Sequence, residues 1–129
     1  MENSSKNDAY LKNVKVLAYL GDSVFSFLVK KYLVENYQLK TNQLNKMANS
    51  VLCAKTQAEI MQKLDNLSNE EQDIVMRARN AHINSKAKNS SLHEYSLATQ
   101  LEALVGFWCL NGNEERLKYL FDNFIKERL

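Results

Sequence analysis

The sequence predicts an all-α protein, and three observations carry that prediction. Among 129 residues there is no proline and only three glycines, so the usual interrupters of helices are nearly missing. Good helix formers such as Leu, Lys, Glu, Gln and Ala fill the chain instead. Apolar residues also recur at three- and four-residue intervals in segment after segment, as one buried face of a helix requires. One domain with a single core is expected at this length. The apolar content of 45% and charged content of 25% are those of a globular protein.

The elements follow in order. Residues 1–10 are polar and expected to form a flexible N-terminal segment, with the folded domain over 11–129. A long helix is expected from about Asn13 to Asn36, its stripe running Val14, Leu17, Ala18, Gly21, Phe25, Leu28, Val29 and Tyr32. After a break at Lys40-Thr41-Asn42, Thr41 or Asn42 can cap a second helix through Leu44, Met47, Ala48, Val51 and Leu52. A segment from Ala54 to Leu64 carries Ala54, Ala58, Met61 and Leu64 on one face, and spacing leaves open whether it continues the second helix. Ser68 with Glu71 forms a capping-box pattern before Ile74, Val75 and Ala78. Residues 82–91 read as a polar loop. Ser91 with Glu94 repeats the capping pattern, opening a helix through Ala98, Leu101, Val105 and Trp108. Gly112 stops it, and Asn113 caps a last helix that turns Leu117, Leu120, Phe121, Phe124 and Ile125 inward. About six helices in one bundle result.

Several function classes recede on composition. No apolar run reaches the length of a membrane span, and the start lacks the layout of a secretory signal. Cys53 and Cys109 have no paired spacing for zinc or redox chemistry. They read as reduced, buried thiols, and a cytoplasmic location is expected. The net charge of +2 is too small to imply a nucleic-acid partner by itself.

Two acids stand out. Asp22 falls within the stripe of the first long helix and Glu102 within the stripe that ends at Trp108. Each has a glycine nearby, Gly21 and Gly106, although mid-helix glycine costs about 1 kcal/mol relative to alanine. Glu70, Glu71, Glu114 and Glu115 lie in first turns, where they suit the helix dipole, while Glu35, Glu59, Asp65, Asp122 and Glu127 read as solvated. Two inward carboxylates on facing helices can hold a hard divalent cation, and magnesium suits such a pair best because it keeps several waters. Local structural partners for each acid are the alternative. Spacing alone leaves both open.

Basic residues gather in two acid-free windows. One, from Asn36 to Ala58, holds Lys40, Lys46 and Lys55. The other, from Ile74 to His93, holds Arg77, Arg79, Lys86 and Lys88 with both histidines, and amides such as Asn80 fill the gaps. Cations mixed with neutral donors suit a sugar–phosphate backbone, although either window alone reads equally as a solvated face. His82 and His93 lack any nucleophile setting.

The stretch Leu17-Ala-Tyr-Leu-Gly-Asp-Ser-Val-Phe25 resembles the signature helix of ribonuclease III domains. Leu101-Glu-Ala-Leu-Val-Gly106 resembles their second acidic helix. Asn42-Gln-Leu44, Ala54-Lys-x-Gln-Ala58 and Arg77-x-Arg-Asn-Ala81 resemble the Mini-ribonuclease III branch, and the similarity extends from about residue 10 to the C-terminus. The resemblance implies a homodimeric, magnesium-dependent endonuclease that cuts double-stranded RNA and trims the ends of the 23S ribosomal RNA precursor. Asp22 and Glu102 match the family's catalytic, metal-holding acids. Full-length ribonuclease III carries two further acids, where this chain has Ala18 and Thr99, so a sparse, water-rich metal shell is expected. No separate double-stranded-RNA-binding domain fits within the chain, which makes Lys55, Arg77, Arg79, Asn80, Lys86 and Lys88 the candidate RNA contacts. The resemblance would also place the signature helix at the dimer interface, with Tyr19 near the two-fold axis. Whether a ribosomal protein assists is left open. Rival readings are a catalytically inactive RNA-binding ribosome-assembly factor of the same fold, and a helical interaction module without nucleic acid.

Overall fold

A computed structural model describes residues 9–81 and 91–129, and these are all helices and short connections, with no strand among the described residues. Helix α1 spans Val14–Asn36. Asn13 caps it by accepting the Lys15 N–H at 2.8 Å, which satisfies one of the free amides of the first turn. Its buried side is Val14, Leu17, Ala18, Gly21, Phe25, Val29 and Leu33. Helix α2, Thr41–Asn49, has Lys40 rather than Thr41 or Asn42 as its N-cap. The Gln43 side chain reaches back to accept the Lys40 N–H at 3.1 Å, so the residue at the third helical position does the capping.

Helix α3, Ala54–Lys63, is separate from α2. The break between them is held by hydroxyls: Ser50 Oγ donates to Met47 O at 2.6 Å and Thr56 Oγ1 to Ser50 O at 3.2 Å. Helix α4, Asn69–Asn80, opens on the expected capping box. Ser68 Oγ accepts the Glu71 N–H at 3.1 Å, and Glu71 Oε1 accepts the Ser68 N–H at 2.9 Å.

Helix α5, Ser91–Leu110, is the axis of the molecule. It packs most extensively against α1 and also against α3 and α4. From Ala98 to Trp108 every residue is buried except Glu102, which is half-buried. The single stripe expected of this helix is therefore a full circumference, as a helix enclosed by neighbours requires. Gly112, at φ +73°, ends the run, and Asn113 caps α6, Glu114–Leu120, by accepting the Arg116 N–H at 3.1 Å. The last helix does not run on regularly to Ile125. It widens to a π turn over Phe121–Ile125 and tightens to a 3₁₀ turn over Lys126–Arg128. In that arrangement Phe121 packs on Tyr32, with ring centroids 5.3 Å apart, and Phe124 on Tyr119 at 5.9 Å.

Two expectations need correction, and one first-turn acid has a further role. Cys53 and Cys109 are both exposed, not buried; Cys53 is the N-cap residue of α3, and Cys109 lies just past the enclosed run of α5. Glu71 lies in the first turn of α4 as expected, and it is also buried, at 5% exposed. Its Oε2 accepts Trp108 Nε1–H at 2.7 Å, and the Arg116 guanidinium donates to both carboxylate oxygens at 3.2 Å. Arg116 also lies over the rings of Trp108 and Tyr119, 5.1 Å from each centroid. One carboxylate thus ties α4, α5 and α6 together, its charge offset by a cation and by further donors. The flexible segment expected over 1–10 is tied down at its end: Ala9 is fully buried, and Tyr10 donates its hydroxyl to Asp73 at 2.9 Å. Residues 1–8 and the polar loop over 82–90 lie outside the described residues.

Candidate active site

The site begins at the crossing of α1 and α5. A Cβ added to Gly21 would overlap the backbone carbonyl oxygen of Glu102, and one added to Gly106 would overlap that of Leu17. Only glycine permits such an approach, which accounts for both mid-helix glycines. Leu17 meets Gly106 while Gly21 meets Glu102, so the two helices run antiparallel through the contact.

Asp22 follows Gly21 by one residue, roughly 100° around the helix. It therefore stands at the rim of the crossing and is exposed, rather than pointing into the core as its place in the stripe suggested. Glu102 is half-buried and faces it. Burial, hydrogen bonding to the Asp22 carboxyl and the Asp22 charge together push the Glu102 pKa up to about 8. Without a cation the pair is best satisfied by holding one proton between two carboxyl groups. Among the described residues no group of three or more His, Cys, Asp or Glu side chains gathers in a way that could hold a metal ion. The donor set is these two carboxylates.

That set fits a divalent cation. Its oxygens are hard donors, its two charges are too close to ionise freely side by side, and an ion between them would replace the shared proton. With only two protein ligands, water and substrate oxygens would complete the shell, which is the habit of magnesium-like ions. Neither Ala18, one turn before Asp22, nor Thr99, three residues before Glu102, adds a carboxylate: Ala18 is buried, and Thr99, 7% exposed, donates its hydroxyl to Tyr95 O at 2.9 Å.

The other expected site residues are dispersed. Lys55, Arg79 and Asn80 are exposed. Arg77 is half-buried and engaged within the chain. Its Nη2 donates to Tyr10 O at 2.7 Å and its Nη1 to Lys12 O at 3.3 Å, and its Nε pairs with Asp73 at 3.1 Å. It fastens the entry to α1 onto α4. Lys86, Lys88 and His82 lie outside the described residues. What sequence reasoning missed is the Glu71–Trp108–Arg116 cluster, for which the only signal was the capping box itself.

Two carboxylates on facing helices can hold a divalent cation, and the relatives of the chain say which class of protein carries them. Residues 15–113 match the Ribonuclease III domain. The chain is 43% identical to Mini-ribonuclease 3 of Brevibacillus brevis over 111 residues, covering 85% of this chain and 83% of that protein. It is 37% identical to Mini-ribonuclease 3 of Staphylococcus aureus over 128 residues, covering 97% and 96%. The crystal structure of protein FN1578 from Fusobacterium nucleatum superposes with a TM-score of 0.81 at 31% identity, covering 92% of this chain and 95% of that one. The chain thus carries a ribonuclease III domain and is an endoribonuclease acting on RNA. Within that class the chain belongs to the Mini-ribonuclease 3 family.

Proposed function

We propose that this endoribonuclease is a magnesium-dependent homodimer that cuts double-stranded RNA and matures the ends of the 23S ribosomal RNA precursor. The observation that carries the chemistry is the juxtaposition of Asp22 and Glu102 at the glycine crossing, where Asp22 helps raise the Glu102 pKa. Both residues would hold the ion, which when bound supplies Lewis-acid activation of water and neutralises charge at the scissile phosphate. In the hydrolysis, the water oxygen bonds to phosphorus, the P–O3′ bond breaks and O3′ takes a proton, leaving 5′-phosphate and 3′-hydroxyl ends. Asp22, at the exposed rim, is the carboxylate an incoming backbone meets first. Glu102, fixed on the enclosed helix α5, keeps the centre in place.

A dimer is supported by an apolar stripe along the outer side of α1. Val16, Tyr19, Phe27 and Val34 are 54%, 81%, 61% and 66% exposed, and their helical spacing makes one band. In this reading Tyr19 lies near the two-fold axis and each subunit cuts one strand. Grip on the duplex falls to Lys55, Arg79, Asn80, Lys86 and Lys88, which would read shape and phosphates as A-form RNA permits. Arg77 instead fastens the entry to α1 onto α4. The cytoplasm is the proposed compartment; no described helix is long and apolar enough to cross a membrane. Retention of both acids disfavours a silent RNA-binding factor.

A cleavage assay on a perfect RNA duplex and a ribosomal precursor stem, with magnesium or EDTA, tests the reading. Asp22→Asn and Glu102→Gln should each lower the rate about a thousandfold, roughly 4 kcal/mol of barrier, with duplex binding retained. Near-normal turnover in either variant would sink the assignment. Duplex binding without cutting by the unaltered protein would point to the silent factor.

A further inference from the structure

We propose that Tyr95 and Ser26 form a neutral hydroxyl subsite that takes one ribose of the RNA strand, through its 2′-hydroxyl, to one side of the cut. The inference rests on the reading of Asp22 and Glu102 as the cutting site. It goes further by assigning two residues that hold the substrate beside the reacting phosphate.

The crossing of α1 and α5 places the two residues together. Tyr95 precedes Glu102 by two helical turns, so it lies about 20° from Glu102 around α5 and about 10 Å from it along the axis. Ser26 follows Asp22 by one turn, on the flank of α1 that carries Asp22. The close approaches of Gly21 to Glu102 and of Gly106 to Leu17 set the two helices antiparallel. Stepping forward on α1 from Asp22 and stepping back on α5 from Glu102 therefore lead the same way. Tyr95 and Ser26 stand on one side of the acid pair, one on each of the crossing helices. Both are open to a ligand. Tyr95 is 58% exposed, on the part of α5 that precedes the enclosed run from Ala98. Ser26 is half-buried, and its hydroxyl has no hydrogen-bond partner among the described residues, whereas Thr99 satisfies its own on the carbonyl one turn back.

A single exposed aromatic is ordinary on a protein surface, and it is the position and chemistry of this one that select a ribose. Helix α5 carries no lysine or arginine from Ser91 to Leu110, so it offers no such cation to a phosphate. Tyr95 and Ser26 offer hydroxyls, each both donor and acceptor. They match the 2′-hydroxyl, which is also donor and acceptor and is the group that distinguishes RNA from DNA. Within a paired stem the base faces are stacked and closed to the tyrosine ring, while the 2′-hydroxyls line the shallow groove. With the scissile phosphate at Asp22 and Glu102, a residue about 10 Å along the helix meets the nucleotides next to the cut.

The test uses the full chain with magnesium and an RNA duplex that has one cut site. The same duplex is also made with a single 2′-deoxynucleotide at successive positions on either side of the cut. Tyr95→Phe removes only the hydroxyl and should raise KM about fivefold, the scale of one neutral hydrogen bond, with kcat close to its original value. In the unaltered protein, a deoxynucleotide at one position, on one side of the cut only, should raise KM by a similar factor. In Tyr95→Phe that position should cost nothing more, because its partner is already gone. Ser26→Ala should show the same coupling at that position or the one beside it. An unchanged KM in Tyr95→Phe, or losses that multiply independently at every deoxy position, overturns the ribose contact. A loss in Tyr95→Ala with none in Tyr95→Phe also overturns it, and would mean that the ring stacks on a base. Absence of coupling for Ser26→Ala alone overturns the paired subsite. No cutting of the duplex by the unaltered protein overturns instead the reading of Asp22 and Glu102.

Discussion

Glu102 holds its carboxyl group where a negative charge is disfavoured, and this has a direct consequence for stability. Its pKa in the folded chain is pushed up to about 8 from an ordinary 4.5, first by burial and then by Asp22. A carboxyl group raised in this way favours the fold most while protonated. That contribution is complete below about pH 4.5 and is lost as pH rises through about 8. In EDTA, the metal-free protein should therefore melt at falling temperature over this window relative to Glu102→Gln, whose amide cannot ionise. Added magnesium should raise the melting temperature more at pH 8.5 than at pH 6, because the ion takes the place of the proton. Parallel pH profiles for the two proteins would contradict the assignment. Both acids were legible in the sequence, since each interrupts an apolar stripe beside a glycine. Their difference was not. A stripe specifies an angle around a helix only to within a residue or so, and at this crossing that interval separates the buried Gly21 from the exposed Asp22.

Among the elements, α1 and α4 were readable nearly to the residue, because Asn13 and Ser68 act through local hydrogen bonds that a few neighbouring positions determine. Helix α5 was readable in extent but not in environment. Its apolar residues surround the axis, and only the partners α1, α3 and α4 explain why none of that surface is spare. The burial of Glu71 depends on Trp108 and Arg116, 37 and 45 residues away, and no local pattern encodes such a meeting. Two denaturation experiments separate the local from the distant contribution. Ser68→Ala removes a cap and should cost about 1 kcal/mol. Glu71→Ala should cost about 3 kcal/mol or more, since it also leaves the Arg116 cation and the Trp108 N–H without their partner. Equal costs would mean that Glu71 matters only as a capping residue.

For the whole molecule, the exposed band on α1 and the scattered cations make separable predictions. Phe27→Asp places a charge in the band and should convert the proposed dimer to monomer in sedimentation experiments. A dimer that persists would remove that band from the interface. Arg79→Ala and Lys55→Ala should each weaken duplex binding across sequences and reduce the slope of log affinity against log salt by about 1. Arg77→Ala, by contrast, should lower the melting temperature, because it frees the main chain at Tyr10 and Lys12. The overall all-helical plan was legible from the near absence of interrupters, but the roles of individual cations were not. An arginine facing solvent and one clasping a neighbouring segment share the same sequence context, as Arg77 and Arg79 show. Trp108 adds a practical consequence. It is the only tryptophan in the chain, it is fully buried, and it sits between a carboxylate and a guanidinium at the junction of α4, α5 and α6. Its ultraviolet emission is therefore a built-in optical reporter of that junction. It should shift to the red when the bundle opens and report, without any added label, whether a variant at Asp22 or Glu102 has kept its core.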